Sequence, residues 1–312
     1  MSEATDTHNT SIRDEFAHQA DSFARSQAMS LAETLGAVVE LVPEDGAARW
    51  AELACGPGLI ARAMAQRVGS VLGLDLTPTM IDKARAEAAE AGVENVSFEL
   101  VDATAIDLPD DSFDGAITRF SPHHIPAPVR VLEEMRRVVK PGGYVVVADH
   151  VTDDDGDAAA WHEEIERLRD PSHWACLTPS RLAAMGERAG LEPDLSREIP
   201  FGIDVDEWIG RGSGGPANAE LIDRLLAEAP HTAASFVVRG DPGERTLSLR
   251  NSLHRWRVPN GLVRARFRAR RGRRRRSPRA GEWWRLGSRY ERRPAPGGPR
   301  RGSRRGGGRR AA

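Results

Sequence analysis

Between residues 47 and 151, short apolar runs alternate with longer stretches whose apolar residues recur at helical spacing. Short continuous apolar runs are typical of buried strands, whereas spacing of three or four residues is typical of amphipathic helices. This alternation predicts an α/β protein with a mostly parallel sheet and helices on its faces. The predicted strands are a run from 47 that breaks at 55, then 71–76, 96–101, 113–120 and 144–151; the predicted helices are 59–68, 78–91 and 129–139.

Helical spacing also occurs outside this segment. Apolar residues from Ile12 to Phe23 recur at helical spacing behind Ser11, a candidate helix cap, so we expect a helix over 11–25. A second helix is expected over 28–41. Further along the chain, the pattern predicts helices at 158–168 and 181–189, strands at 191–199 and 246–253, and a mostly helical stretch at 205–230.

The net charge of −2 hides two segments of opposite charge. Residues 261–312 contain twenty arginines and two acidic residues, whereas the remainder carries 24 basic and 44 acidic residues. A folded domain rarely separates charge in this way, so we predict a disordered Arg/Gly/Pro-rich tail over 261–312. Its arginines and the Trp283–Trp284 pair also permit nucleic-acid binding, and a reading-frame artefact of GC-rich DNA is the other interpretation.

The candidate chemistry begins at Cys55-Gly56-Pro57-Gly58, between the first strand and the first of these helices. Glycines allow a sharp turn and a close approach of the backbone to a ligand, and the following helix directs free N–H groups at that ligand. Residues 56–61 also satisfy the dinucleotide pattern G-x-G-x-x-A, so a nicotinamide enzyme is one alternative. Asp75 and Asp102 end the next two strands, at the edge where open α/β sheets bind ligands.

Four segments together resemble the class I S-adenosylmethionine-dependent methyltransferases, in particular the small-molecule branch of ubiquinone and menaquinone C-methyltransferases. They are ELACGPG at 52–58, GLDLTPTMIDKAR at 73–85, VDATAIDLPDDSFD at 101–114 and HHIPAPVRVLEEMRRVVKPGG at 123–143. The resemblance covers roughly residues 12–258. A nicotinamide enzyme would explain the glycines and Asp75, but not Glu52, LPDDSFD or KPGG.

The resemblance implies a Rossmann-like seven-stranded fold with strand order 3-2-1-4-5-7-6. It also implies a helical N-terminal cover at 1–45, a cofactor-binding domain at 46–260 and a helical insertion at about 152–190. In the family the N-terminal region closes over cofactor and substrate, so Phe16 or Phe23 is placed to contact a sulfonium through its aromatic face.

The resemblance further implies which residues bind the cofactor, S-adenosylmethionine. Asp75 would hold the ribose hydroxyls, and Asp102 would accept from the adenine amino group. Glu52 stands where the family usually has aspartate; it would orient the glycine loop or the amino group of the methionine portion. The full predicted set is Glu52, Cys55, Gly56 and Gly58 at the loop, Asp75, Leu76, Met80, Asp102 and Ala103 around the adenosine, and Thr118 and Arg119 at the methionine end.

A carbon or phenol acceptor must lose a proton, and histidine titrates near working pH. His124 is the candidate base because the family often has histidine there; His123, His150 and His173 are other histidines expected near the ligand edge. Although four histidines suggest a metal, no helical His pair at i, i+4 is present, so the sequence predicts none.

The predicted function is methyl transfer to a small aromatic acceptor, a quinol, phenol or polyketide-like metabolite, at carbon or oxygen. The alternatives are a methyltransferase fold with a cyclase or scaffold role, and a nucleic-acid methyltransferase, for which Phe120-Ser-Pro-His123 departs from the usual tetrad. Two cysteines, no apolar leader segment and no membrane-length apolar run lead us to expect a cytoplasmic protein. The oligomeric state stays open.

Overall fold

The computed structural model describes residues 3–25, 32–241 and 244–260. Its centre is one sheet in the order β3-β2-β1-β4-β5-β8-β6, with β7 pairing on β8. The first five strands are parallel, and β6, β7 and β8 complete the sheet by antiparallel pairing. The strands are β1 Asp45–Leu53, β2 Val68–Asp75, β3 Val96–Leu100, β4 Phe113–Arg119, β5 Val139–His150, β6 Glu192–Asp204, β7 Phe236–Arg239 and β8 Thr246–Arg257.

The predicted strand order is therefore confirmed, with β8 in the place of the family's seventh strand. Helices lie on both faces of the sheet, as expected for crossovers between parallel strands. The helices are α1 Glu3–Arg25, α2 Ala32–Val39, α3 Leu59–Met64, α4 Pro78–Glu90, α5 Pro128–Val138, α6 Gly156–Arg169, α7 Pro179–Arg188, α8 Val205–Arg211 and α9 Gly215–Ala227, and Pro122–His124 forms a 3-10 turn.

Two apolar clusters fill the two faces of the sheet. On one face, Leu132 and Met135 of α5 pack against Val145 and Val147 of β5. On the other face, Ile60 and Met64 of α3 and Ile81 of α4 pack against β1 and β2. Because β1, β4 and β5 are covered on both sides, their side chains are apolar in both directions, which explains why these segments appear in the sequence as continuous apolar runs.

Several predicted boundaries were wrong for identifiable reasons. Helix α1 begins at Glu3, so Ser11 lies inside the helix rather than at its cap. Strand β5 begins at Val139, before Pro141-Gly142-Gly143, although those residues were expected to separate helix from strand. The β4–β5 register shifts there, and the N–H of Gly142, at φ +80°, donates to the carbonyl of Val258 at 2.8 Å. The glycines therefore form an irregularity within the strand.

A third apolar cluster was not anticipated. Trp161 of α6 and Trp208 of α8 pack edge-on against Phe236 of the unpredicted strand β7, at ring separations of 5.5 and 5.4 Å. Ile222 of α9 is buried in the same cluster. The helical layer at this edge therefore extends well beyond the insertion expected at 152–190.

Two further sequence expectations concern membrane spans and the C-terminal tail. No helix among residues 3–25, 32–241 and 244–260 combines the length and apolarity that a membrane span requires. The basic tail predicted at 261–312 and the side chain of Phe23 lie outside the described residues.

The pairing of Trp50 on β1 with Gly115 on β4 gives a test of the core. A Cβ added at Gly115 would overlap the indole ring of Trp50, which is 2 % exposed and cannot move aside. We expect Gly115→Ala to lower the free energy of unfolding by about 1–3 kcal/mol, measured by urea denaturation.

Gly36→Ala is the matched control, because nothing lies within 4 Å of a Cβ added at this position in α2. It should leave stability unchanged or raise it by about 0.5–1 kcal/mol. Equal losses in the two variants would contradict the packing that we describe between β1 and β4.

Candidate active site

The carboxyl ends of β1, β2 and β4, together with the segment after β3, border a cleft of about 1000 Å³. Helix α1 contributes Asn9, Ile12 and Phe16 from the opposite side. Of the residues predicted to bind the cofactor, most line this cleft, and Gly58 and Thr118 do not. Those lining it are Glu52, Cys55, Gly56, Asp75, Leu76, Met80, Asp102, Ala103 and Arg119, and the candidate base His124 lines it too.

The glycine loop between β1 and α3 has the backbone geometry that its sequence requires. Gly56 and Gly58 have φ of +51° and +72°, in the left-handed region that strongly favours glycine. A Cβ at Gly58 would also lie 2.7 Å from the ring of Phe98, whereas one at Gly56 would meet nothing within 4 Å. Gly58 therefore serves packing and the helix start, and Gly56 faces open space.

Glu52 fixes this loop from below. Its Oε2 accepts a hydrogen bond of 2.8 Å from the backbone N–H of Ala61, in the first turn of α3. The longer side chain, compared with the family's usual aspartate, thus ties the end of β1 to the helix. Burial raises the pKa of Glu52 to about 8, despite this hydrogen bond and the nearby guanidinium of Arg119.

Asp75, at the end of β2, fixes the other side of the loop. Its Oδ2 accepts from the N–H of Gly56 and its Oδ1 from the N–H of Thr77, both at 2.8 Å. Burial raises the pKa of this carboxyl, and the two hydrogen bonds oppose that shift. The Thr77 side chain and the Leu76 backbone lower the pKa of Asp75 in the same way, so this carboxyl is held by several donors at the edge of the cleft.

Asp102 lies just beyond β3 and is partly covered by α1. Its Oδ1 accepts from the backbone and hydroxyl of Thr104, at 2.8 and 2.7 Å. Its Oδ2 accepts from the side-chain amide of Asn9 at 3.3 Å. Asn9 was missed in the sequence analysis, although it shares a helix face with Ile12 and Phe16, the spacing by which it could have been found.

The two residues predicted at the end of β4, Thr118 and Arg119, differ in their surroundings. The hydroxyl of Thr118 is fully buried, donates to the carbonyl of Leu53 at 2.7 Å and lies 2.6 Å from the Ser121 hydroxyl, so it supports the loop from beneath. Arg119 lines the cleft, with its guanidinium 4.4 Å from the ring centre of Phe120. Burial lowers the pKa of Arg119 to about 10, so it remains a cation at neutral pH.

Two non-glycine residues beside the cleft have strained backbones. Ala54, after β1, and Phe120, after β4, both have φ of +51°. Such conformations are costly for residues with a side chain and persist where the surrounding structure holds them, commonly at ligand sites. The strain at Phe120 turns its ring toward Phe201, at a separation of 5.5 Å.

A second cavity adjoins the cleft, and Phe120 and His124 line both. We call this second space the inner cavity. Its walls combine aromatic rings with charged and imidazole groups. They include Gln19 of α1, Phe201 of β6, Trp208 and Arg211 of α8, and His123, His150, Glu166, Arg169 and Asp170.

The ring of His124 lies between the two spaces. Its Nδ1 is 3.2 Å from the carbonyl oxygen and 3.1 Å from the hydroxyl oxygen of Ser172, and the ring packs edge-on against Phe16 at 4.8 Å. Burial lowers its pKa to about 4, although the charge of Asp170 acts in the opposite direction. The imidazole is therefore neutral, with the capacity to accept a proton, at physiological pH.

His123 faces a different partner. Its Nδ1 lies 2.7 Å from Oδ1 of Asp149, and its backbone N–H donates to Oδ2 of the same carboxyl at 3.1 Å. Burial and the neighbouring imidazoles of His124 and His150 lower the pKa of His123 well below its ordinary value. Asp149 therefore orients the segment after β4, a role that nothing in its sequence position indicated.

The comparisons with known proteins agree with this architecture. The family profile described as "Methyltransferase domain" matches residues 45–190. The uncharacterized methyltransferase YcgJ of Bacillus subtilis (strain 168) is 31 % identical over 205 residues, which are 66 % of this chain and 81 % of that protein. The crystal structure of YcgJ has a TM-score of 0.67 and 28 % identity, over 73 % of this chain and 99 % of that chain.

More distant structures share the fold alone. The cyclase SpnF has a TM-score of 0.55 at 21 % identity, over 73 % of this chain and 82 % of its own. Geranyl diphosphate methyltransferase, solved in complex with S-adenosylmethionine, has a TM-score of 0.51 at 13 % identity, over 73 % of this chain and 85 % of its own.

The raised pKa of Glu52 predicts a pH-dependent stability. Between its ordinary pKa of 4.5 and its folded value of about 8, the folded protein binds a proton that the unfolded chain has lost. The contribution of this proton to the free energy of unfolding is therefore complete below about pH 4.5. It is lost as pH rises toward 8, by at most roughly 1.4 kcal/mol per pH unit.

Glu52→Gln keeps an acceptor for the Ala61 N–H and removes the titration. We expect the unfolding free energy of the wild type, minus that of this variant, to fall between pH 5 and 8 in urea titrations of the cofactor-free protein. A difference that stays constant over this range would show that Glu52 is ionised in the folded state.

Proposed function

The chain belongs to the methyltransferase domain family, and on that premise we propose that it methylates a small aromatic acceptor held in the inner cavity. It is an S-adenosylmethionine-dependent methyltransferase with a Rossmann-like fold. S-adenosylmethionine supplies an electrophilic methyl group on a sulfonium. The identity of the acceptor and the roles of individual residues are the proposal.

The residues of the cleft fit the cofactor in chemical type and position. Asp75 lines the cleft at the carboxyl end of β2, where its carboxyl oxygens would accept from the ribose hydroxyls. Leu76 and Met80 provide an apolar wall for the adenine, and Asp102 with Ala103 borders the same end of the cleft. Gly56 lets the methionine portion approach the backbone, because a Cβ there would project into open space.

Helix α1 is proposed as the cover of the site. Asn9 bonds to Asp102, Phe16 packs on His124, and the side-chain amide of Gln19 donates to Asp170 at 3.0 Å. Glu15 accepts from the backbone N–H of Ser213 at 2.9 Å and from its hydroxyl. Covering the cleft excludes water, which strengthens the electrostatic contacts around the reacting groups.

The inner cavity favours a flat, partly polar acceptor. Phe120, Phe201 and Trp208 supply aromatic surface, while Gln19 and Arg211 place hydrogen-bonding groups in the same walls. Aromatic rings pack on such surfaces at offset or edge-on geometries, and hydroxyls of a quinol or phenol would pair with the polar groups. The acceptor would reach the cleft where Phe120 and His124 line both spaces.

The chain's own contribution to the reaction is alignment, exclusion of water and removal of one proton. Alignment of two reactants supplies roughly 7–11 kcal/mol of a barrier without covalent participation by the protein. His124, neutral at physiological pH and placed at the junction of the two spaces, is the proposed acceptor of the proton from a hydroxyl or an activated carbon. The observation that carries the proposal is this junction between a cofactor cleft and an aromatic cavity.

The ribose assignment is tested by calorimetry. We expect Asp75→Ala to weaken S-adenosylmethionine binding by about 10- to 100-fold, because hydrogen bonds to a charged group contribute about 1.5–3 kcal/mol. The control is Asp82→Ala, which removes an exposed carboxylate of α4 that pairs with Arg85 at 3.7 Å. Equal affinity in the Asp75→Ala variant, with native circular dichroism, would refute the ribose assignment.

The reaction itself is tested by turnover. The purified chain is incubated with S-adenosylmethionine and a panel of quinols and phenols, and S-adenosylhomocysteine is measured. We expect product with at least one acceptor, and a loss of about 10²- to 10⁴-fold in kcat for His124→Gln. With a pKa of about 4, His124 should cause activity to fall only on the acid side, toward pH 4.

His254→Gln is the control, because His254 is a buried histidine of β8 that lines neither space and lies 2.9 Å from the hydroxyl of Ser252. It should retain activity. Undiminished turnover in the His124→Gln variant would remove His124 from the reaction. Tight cofactor binding without turnover of any acceptor would instead favour the cyclase or scaffold alternative.

A further inference from the structure

We propose that His150, His162, Glu166 and Cys176 bind one divalent metal ion of the zinc class in a closed, four-coordinate site. These four residues form what we call the buried ligand cluster. No family motif accounts for them; His150 and Glu166 line the inner cavity, and no member of the cluster lines the cofactor cleft.

Three separate segments bring the cluster together. His150 is the last residue of β5, and Cys176 lies in the loop between α6 and α7. His162 and Glu166 are four residues apart on α6, so both side chains lie on the same face of the helix. The sequence analysis predicted no metal because it sought a histidine pair on one helix, whereas here the second imidazole comes from a strand end.

Potential ligand atoms of His150, His162 and Cys176 lie within 4.8 Å of one another, and Glu166 lies beside the two imidazoles. His150 Nε2 lies 3.2 Å from Cys176 Sγ, and His162 Nε2 lies 3.9 Å from the same sulfur. Oε1 of Glu166 lies 3.6 Å from each of the two Nε2 atoms. Both imidazole nitrogens therefore face one thiol and one carboxylate oxygen.

The separations from imidazole nitrogen to sulfur and to carboxylate oxygen are close to four of the six edges of a metal-centred tetrahedron. With zinc–nitrogen and zinc–oxygen bonds of about 2.0–2.1 Å and a zinc–sulfur bond of about 2.3 Å, neighbouring ligand atoms stand about 3.3–3.6 Å apart. These four separations run from 3.2 to 3.9 Å. A mixed nitrogen and sulfur set with this geometry selects zinc over magnesium or calcium, which prefer oxygen ligands.

Hydrogen bonds leave several polar atoms of the cluster without a good partner. Separations of 3.6 Å between imidazole nitrogen and carboxylate oxygen exceed hydrogen-bond length, and the sulfur contact at 3.9 Å is weak. The other ring nitrogen of His162, Nδ1, is buried with no hydrogen-bond partner among the described residues. All four side chains are nine-tenths or more buried, where unsatisfied polar atoms are costly.

Charge and surrounding contacts also suit a divalent ion. One thiolate and one carboxylate neutralise two positive charges, so the occupied site adds no net charge to the interior. Arg169 donates to the second oxygen of Glu166 at 3.1 Å, which leaves Oε1 directed at the imidazoles. Oδ1 of Asp149 lies 3.8 Å from Nδ1 of His150, so it adds negative charge beside the site without a hydrogen bond to this ring.

A competing set shares Cys176 but is less suitable. Glu163, His173 and Cys176 also place potential ligand atoms near one another. However, Oε1 of Glu163 is paired with Arg167 at 2.7 Å, and its Oε2 accepts from the backbone N–H of Cys176 at 2.9 Å. Both oxygens of Glu163 therefore already have partners other than the potential ligand atoms of the competing set, whereas Oε1 of Glu166 lies 3.6 Å from each imidazole of the cluster.

Because protein residues supply all four ligands, the inferred ion is structural. It would join the end of β5, helix α6 and the following loop. Strand β5 and helix α6 carry His150, Glu166 and Arg169 to the wall of the inner cavity. A metal ion that binds the folded protein but not the unfolded chain raises the unfolding temperature.

The test uses the purified full-length chain, stripped with a chelator and reloaded with zinc or cobalt. We expect one zinc per chain by elemental analysis and a higher Tm with zinc than without it. With cobalt we expect the visible bands of a four-coordinate ion and a near-ultraviolet thiolate-to-cobalt band. Cys176→Ser should abolish the thiolate band, and His162→Gln should abolish binding of one equivalent.

Two controls separate this site from its neighbours. Cys55→Ser removes the other cysteine, which lies outside the cluster, and should leave the cobalt spectrum unchanged. His173→Gln removes the imidazole of the competing set, and it should also retain the metal. No thiolate band in the wild-type chain, or a band that survives Cys176→Ser, overturns the proposal; so does metal lost in His173→Gln but kept in His162→Gln. The wild-type spectrum decides the matter even if a cluster variant fails to fold.

Discussion

Two buried carboxyl groups hold the glycine loop and its flanking residues in place by accepting hydrogen bonds from the backbone. Glu52 binds the N–H of Ala61, and Asp75 binds the N–H groups of Gly56 and Thr77. Because β1 and β2 are parallel neighbours, their carboxyl ends bring the two acids to opposite sides of one turn. A loop of this kind exposes backbone N–H groups that need partners, and these two side chains supply the acceptors. The cleft, the strained residues beside it and the helix that follows all depend on this support.

The polar interior behind the loop is less usual. Imidazoles of His123, His124 and His150 lie in succession at the ends of β4 and β5, with adjacent ring centres 4.1 and 4.2 Å apart. Burial lowers the pKa of each, so the interior holds neutral imidazoles, which do not repel cations as imidazolium groups would. Buried polar networks are tolerated only where their members find partners. Asp149 and Ser172 provide partners for two of these rings, and the proposed metal provides one for the third.

The contacts of helix α1 and the short strand β7 could not be predicted from the pattern of residues along the chain. The glycine loop, Asp75 and Asp102 were predicted because each follows a buried run directly, so their positions on the sheet edge follow from local order. Asn9 was missed because its partner Asp102 is 93 residues away, and only the helix face that it shares with Ile12 and Phe16 indicated it. Strand β7 escaped prediction because it is only four residues long and is stabilised by pairing with β8 and packing on α6 and α8. Thr118 was assigned to the ligand, but its hydroxyl satisfies a buried carbonyl instead.

The sequence by itself determined the alternation of strands and helices, the turn at Gly56 and the acids at the strand ends, because these depend on residues close together in the chain. Its motifs also indicated the family and therefore the cofactor. Only the tertiary structure decided which side chains share a space. It joined His124 to Phe16 across the cleft and gathered His150, His162 and Cys176 from a strand, a helix and a loop. Such contacts depend on how the sheet and its helices pack, and the order of residues along the chain does not record that packing.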